Sequence, residues 1–182
     1  REAINKLDLK ALRYTCENGT DLLLELPEGH IWQGGEEASK DGTIFNANIP
    51  TEEIFSAPQY NGVNGIVYST KPLIYHGNTI SDFSFTFKKG KIIEYTAKEG
   101  YEVLKELVET DEGSHYLGEV ALVDHFSPIS QSNQIFYETL FDENASCHLA
   151  IGSSYPTCLK NSDGLSDDEL KVRGLNHSLT HV

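Results

Sequence analysis

Residues 63–97 read VNGIVYSTKPLIYHGNTISDFSFTFKKGKIIEYTA, and this stretch limits the fold more than any other. Ile66-Val67-Tyr68, Leu73-Ile74-Tyr75, Phe83-Phe85-Phe87 and Ile92-Ile93-Tyr95 are short aromatic or β-branched runs, with serine, threonine and aspartate interleaved and Lys88-Lys89-Gly90 as a turn. Strands of this length joined by such turns form a meander, so antiparallel sheet dominates the expected fold.

The flanking sequence adds a few short helices. Residues 1 to 7 read as the last turns of a helix, and the runs around Asn18-Gly19 as a hairpin, since that dipeptide tolerates the positive φ of a tight turn. Residues 28–42 read as one long loop carrying the only tryptophan, Trp32. Val103, Leu104, Leu107 and Val108 fall at helical spacing, with Gly113 placed to end the helix. YLGEVALV is a strand, the serine-rich stretch at Pro128 a loop, and QIFYETLFDENA a short helix. Ser166 with Glu169 forms a capping box for another helix, which Gly174 stops. No repeat or linker interrupts residues 1–182. The expectation is one α+β domain, a largely antiparallel sheet (a meander or partial barrel) with a few short helices. The start at Arg1 and the strand-like SLTHV at the end suggest a piece of a longer protein.

Charge excludes several functions. Twenty-eight acidic against fourteen basic residues give a net charge of −14, which repels nucleic acid and anionic membranes and attracts cations. No apolar run reaches membrane-spanning length and no signal peptide is visible, so a cytoplasmic protein is expected. The three cysteines lack CxxC spacing, which suggests buried reduced thiols rather than disulfides or a thiolate zinc site.

Several polar residues sit where polarity is costly. Glu119 shares a strand face with Leu117, Ala121 and Val123, so its carboxylate needs a basic partner, a raised pKa or a metal ion. In the stretch from Cys147, alternation puts His148 on a face with only Ala150 and Gly152, opposite Leu149 and Ile151. Glu52 and Glu53 lie between two prolines that limit any helix to about a turn. Glu143 and His148 are five residues apart, so they converge only if a helix ends near Asn144 and a strand begins by Cys147. Alternation through LNHSLTHV puts Leu175, His177, Leu179 and His181 on one face. Carboxylates and imidazoles in this mixture suit one divalent ion or two.

The stretches NIPTEEIFSAP, NGIVYSTKPLIYHGN, TDEGSHYLGEVALV, SPISQSNQIFYETLFDENASCHLAIGSSYP and VRGLNHSLTHV together resemble the bacterial metallo-aminopeptidases typified by aminopeptidase T and aminopeptidase S. The resemblance runs over essentially the whole chain. It implies a metal-dependent exopeptidase that hydrolyses the N-terminal bond of peptides with broad specificity, through water activated by two divalent ions (zinc, cobalt, manganese or magnesium). It implies Glu53, Glu119, Glu143, His148 and His181 as metal ligands, with Glu119 shared between the ions and Glu143 alternatively orienting an imidazole. Tyr155 matches the family's active-site tyrosine, and Glu53 or Glu119, whichever is not fully occupied as a ligand, is the candidate proton acceptor. A homodimer is also implied. The aspartate of the family's His-Val-Asp motif would follow Val182 and the family's N-terminal domain is missing, which leaves the activity of this stretch alone open. The competing reading is a non-catalytic β-rich binding or dimerisation module with a structural cation site.

Overall fold

The computed structural model describes residues 1–47 and 52–182. Helix α1 (Glu2–Leu7) precedes β1 (Ala11–Thr15), β2 (Asp21–Glu25), β3 (Glu36–Ala38), β4 (Ile44–Asn46) and β5 (Glu53–Ser56). Next come β6 (Val63–Tyr68), β7 (Leu73–Tyr75), β8 (Asn78–Ile80), β9 (Ser84–Lys88) and β10 (Lys91–Thr96). Helix α2 (Tyr101–Val108), β11 (Leu117–Val123), α3 (Pro128–Ser132), α4 (Thr139–Glu143), β12 (His148–Ile151) and α5 (Asp167–Val172) complete the order. The fold is α+β with β predominating, and the named strands pair antiparallel.

The meander survives with an insertion. β6, β9 and β10 are neighbours in a five-stranded sheet of order β1-β2-β6-β9-β10, whereas β7 and β8 leave it as a hairpin of their own. A three-stranded sheet, β12-β11-β5, stands apart from the first. One core joins the two. Leu22 and Leu24 of β2, both fully buried, cluster with Phe87, Ile92, Leu104, Leu107, Val120 and Ile151. The alternation in β2, where Leu23 is exposed between them, is the period-2 pattern of a strand with one face in the core. Each such leucine contributes about 2 kcal/mol by burial. Helix α2 adds Leu104, Leu107 and Val108 at the predicted helical spacing.

Local chemistry explains where the structure departs from expectation. At the first hairpin only Gly19 takes positive φ, and Asn18 instead accepts a hydrogen bond from the Thr20 N–H at 3.0 Å. The expected loop at 28–42 contains β3, half of a small hairpin with β4. Pro128 opens helix α3 rather than a loop, because Ser127 caps it and proline suits the first helical turn. Helix α4 starts late, at Thr139, after Tyr137 with its positive φ. Helix α5 carries the full Ser166–Glu169 capping box. Of the three free thiols only Cys158 is buried, while Cys16 and Cys147 are exposed, against the expectation of buried cysteines. Among the described residues, no helix is long and apolar enough to cross a membrane.

The last residues return to the sheet. Ile151 and Val182 exchange two backbone hydrogen bonds, of 2.7 and 3.1 Å, and Ser153 donates to the Thr180 carbonyl at 2.8 Å. Upstream of this the expected alternation fails: Leu175 is buried, but His177 is exposed and Leu179 is 85% exposed. Gly113 has a different role from the helix stop expected of it. Helix α2 ends at Val108, Gly113 opens a 3-10 turn, and a Cβ on it would collide with the His177 carbonyl. Gly113→Ala is therefore expected to destabilise the fold by about 1–3 kcal/mol, read as a lower urea midpoint with an unchanged slope.

Candidate metal centre

The centre grows out of the register of the three-stranded sheet. β11 runs between β5 and β12, with Val123 opposite Glu53, Ala121 opposite both Phe55 and His148, and Glu119 opposite Ala150. Directly opposed residues share a face. Glu53, Glu119 and His148 therefore project to one side, with Ala121 and Ala150 as a low floor between them. A register irregularity between Leu117 and Glu119 takes Leu117 out of that row, and Leu117 joins the core instead. The helical turn considered for Glu52 and Glu53 is replaced by strand from Glu53 onward, while Pro50 and Thr51 of that motif lie outside the described residues.

The side chains meet closely. His148 Nε2 lies 3.0 Å from Glu53 Oε2 and 3.6 Å from Glu119 Oε1, and donor atoms of these three residues all fall within 4.8 Å of one another. The other oxygen of Glu119, Oε2, is 3.6 Å from His181 Nε2. Both imidazoles are anchored from behind: Nδ1 of His148 donates to the Ser146 carbonyl at 3.0 Å, and Nδ1 of His181 to the Ser153 carbonyl at 2.8 Å. A carbonyl only accepts, so in the neutral ring the proton is on Nδ1 and the Nε2 lone pair faces the carboxylates.

Glu53 Oε2 and His148 Nε2 are buried without a hydrogen-bond partner, because their 3.0 Å approach lacks hydrogen-bond geometry. Unsatisfied buried polar atoms are rare, and these two point at a common space. Burial pulls the pKa of His148 down, but the carboxylates of Glu119 and Glu53 outweigh it and push the value up to about 10. Burial alone would raise Glu119, but the two imidazoles hold it below its ordinary value. The centre is electrically starved of positive charge. Two carboxylates and an Nε2-presenting imidazole in a buried recess fit a divalent cation, and a second imidazole is in reach of Glu119.

The remaining expected residues stand at different removes. Glu143, at the end of α4, is half-buried and lies outside the close trio. Burial, with the charges of Glu53 and Glu119, raises its pKa to about 7 against the opposing pull of His148. Tyr155 is 46% exposed, and its ring centroid is 4.8 Å from that of His181 and 5.7 Å from that of Phe55. Burial and the charges of Glu119 and Glu143 raise its phenol. A residue not singled out from the sequence, Asn144, is fully buried: its Oδ1 accepts from the Glu52 N–H and its Nδ2 donates to the Leu140 carbonyl, both at 3.0 Å. It ties the end of α4 to the start of β5. Only its place between Glu143 and His148 marks it in the sequence; no periodicity does.

Fold and donor set together define a metal-binding protein of the carboxylate-and-imidazole type. The family described as "Thermophilic metalloprotease (M29)" matches residues 1–182, and the chain belongs to that family. Over 179 residues it is 55% identical to "Aminopeptidase AmpS" of Bacillus subtilis (strain 168), covering 98% of this chain and 43% of that protein. "Aminopeptidase T" of Thermus thermophilus is 44% identical over 164 residues, 90% of this chain and 40% of its own length. The solved structure of wild-type AmpT from Thermus thermophilus matches with a TM-score of 0.93 and 41% identity, covering 100% of this chain and 44% of that one. The chain spans less than half the length of these relatives.

Among the described residues, Glu119 is the carboxylate that comes within 3.6 Å of both imidazoles. Glu119→Gln is expected to keep the circular dichroism spectrum and lower Zn2+ affinity by about 100-fold or more in calorimetric titration, because the amide keeps the shape and loses the charge.

Proposed function

We propose that residues 1–182 form the metal-binding catalytic part of an exopeptidase that releases amino acids from the N-termini of peptides with broad specificity. The carrying observation is the close, buried trio of Glu53, Glu119 and His148, with two of its polar atoms facing one another unpaired. The aminopeptidase names of the relatives at 44% and 55% identity support the same reading.

In this reading Glu53, Glu119 and His148 would hold a divalent ion, His181 would serve a second beside Glu119, and Glu143 stands next to them. Bound zinc, cobalt, manganese or magnesium supplies a Lewis acid that brings the pKa of a water toward about 7 and polarises the scissile carbonyl. Glu53 accepts the proton from the attacking water, and the Tyr155 phenol donates to the oxyanion as it develops. Beside Glu53 an open cleft is lined by Glu2, Glu36, Glu52 and Asp124 with Arg1. Its negative charge suits the free ammonium of a peptide N-terminus, which accounts for exopeptidase rather than internal cleavage.

The net charge of −14 supports peptide rather than nucleic acid or membrane partners. Cytoplasmic location and homodimerisation of the complete protein belong to the same proposal. Phe126, at 80% exposure, and Tyr137, at 72%, supply apolar surface around α3 and α4 that a second copy would cover. The alternative, a structural calcium site in a non-catalytic module, is disfavoured by the two imidazoles, since calcium takes oxygen ligands.

Two measurements test the proposal on the complete protein. Exhaustive chelation should abolish release of N-terminal residues from a mixed peptide set, and Zn2+ or Co2+ should restore it; full turnover without metal refutes the reading. Tyr155→Phe should lower kcat by about 10²- to 10³-fold with KM little changed, and an unchanged kcat removes Tyr155 from the mechanism.

A further inference from the structure

His181 comes to Glu119 on a segment with little regular pairing. Residues 173–180 contain no strand, and the bridge between Gly152 and His181 is where the segment joins the sheet. Backbone bonds from the Ser153 N–H to Thr180 and from the Ser154 N–H to Asn176, both at 2.8 Å, hold two points of it, and between them its path is fixed by a carboxylate in the loop after α2. One oxygen of Asp111 accepts from the Ser114 N–H and from the Ser178 hydroxyl, both at 2.8 Å, and the other accepts from the Leu179 N–H at 2.6 Å. The Ser178 hydroxyl oxygen in turn accepts from the Thr180 N–H at 3.2 Å. Asn176, 4% exposed, donates to the carbonyl of Gly113 in the same loop at 2.7 Å and to that of Gly152, just after β12, at 2.6 Å. The chain from 176 to 180 is thus clamped at Asn176 and again at Ser178 and Leu179, and His181 follows with its Nδ1 on Ser153.

We propose that Asp111 is a positioning residue for the metal centre: its carboxylate sets the register of the segment that presents His181 Nε2 to Glu119. The inference rests on the reading of His181 as a metal ligand. Asp111 lies outside the apolar core, but its loss also strips an acceptor from the N–H of fully buried Ser114 and from the hydroxyl of buried Ser178, so Asp111→Ala costs stability as well as position. Asp111→Asn, which keeps one acceptor oxygen, should retain the fold while the path of residues 178–181 loosens. A histidine held by hydrogen bonds at defined distances becomes one sampling several positions, and metal affinity falls in proportion to the fraction of time it is correctly placed.

The test is a double-mutant cycle on the complete protein with Zn2+ as the probe, using wild type, Asp111→Ala, His181→Ala and the double variant. Competition with a chromogenic chelator reads the Zn2+ affinity that His181 supports. Asp111→Ala and His181→Ala should each lower it by about 10- to 100-fold, and the double variant should bind no more weakly than His181→Ala alone, because Asp111 acts through that ring. In metal-free protein, NMR of the His181 ring should show one well-defined environment in wild type and an averaged, broadened one in Asp111→Ala. Asp111→Asn, which keeps one acceptor oxygen, should fall between, and it replaces Asp111→Ala in the cycle if the alanine variant does not fold. Wild-type affinity in the folded Asp111 variants beside a weakened His181→Ala overturns the proposal and leaves His181 as a ligand. Losses that multiply in the double variant overturn it in favour of a merely structural role. Unchanged affinity in His181→Ala removes the ligand reading itself, and the proposal with it.

Discussion

The pairing of β11 with a different strand on each side is the constraint on which this molecule turns. One face of that sheet receives Glu53 from β5, Glu119 from β11 and His148 from β12, around alanines too small to keep them apart. Two carboxylates in a recess with little water cost several kcal/mol unless positive charge joins them. The rise of His148 to about 10 expresses that demand by proton, and a divalent cation meets it with twice the charge. Glu119 is central because its two oxygens address two imidazoles.

The rest of the fold holds this face in place. The opposite side of β11 and β12 contributes Val120 and Ile151 to the core shared with Leu22, Leu24 and helix α2, so the sheet is anchored from behind while its other side presents the carboxylates and the imidazole. Ligands on packed strands are placed more reproducibly than ligands on loops. Where the backbone is irregular, buried amides substitute for strand pairing: Asn144 joins α4 to β5, and Asn176 joins the final segment to Gly113 and Gly152. Amide side chains suit this task because they both donate and accept without bringing charge near an already acidic centre.

Legibility followed how local each cause was. The strands of residues 63–97, the helix of Leu104 and Leu107 and the Ser166–Glu169 cap are set by neighbours within a few residues, and they stand where side-chain type and spacing put them. The misread points are those where a distant partner decides. Gly113 looks like a helix stop but is glycine because the His177 carbonyl packs against it. The alternation around His177 fails because Asp111 and Asn176 bend that segment away from strand geometry. Glu53 joins a strand since β11 offers it an edge, which outweighs the helical leaning of two adjacent acids. Within the centre, the odd placements of Glu119 and His148 were visible as isolated anomalies and Asn144 only as a helix end, while the hydrogen bonds that Asn144 and Asp111 make to distant segments were not visible.

The amino-acid sequence by itself determined the kind of fold, the acidic character, and the residue types available to a metal, since these depend on composition and on alternation within single strands. Only the tertiary structure decided that Glu53, Glu119, His148 and His181 meet, because their meeting depends on register between strands far apart in the chain. Slipping β12 by one residue would turn His148 into the core and Leu149 toward Glu119 while leaving the local pattern of each strand unchanged.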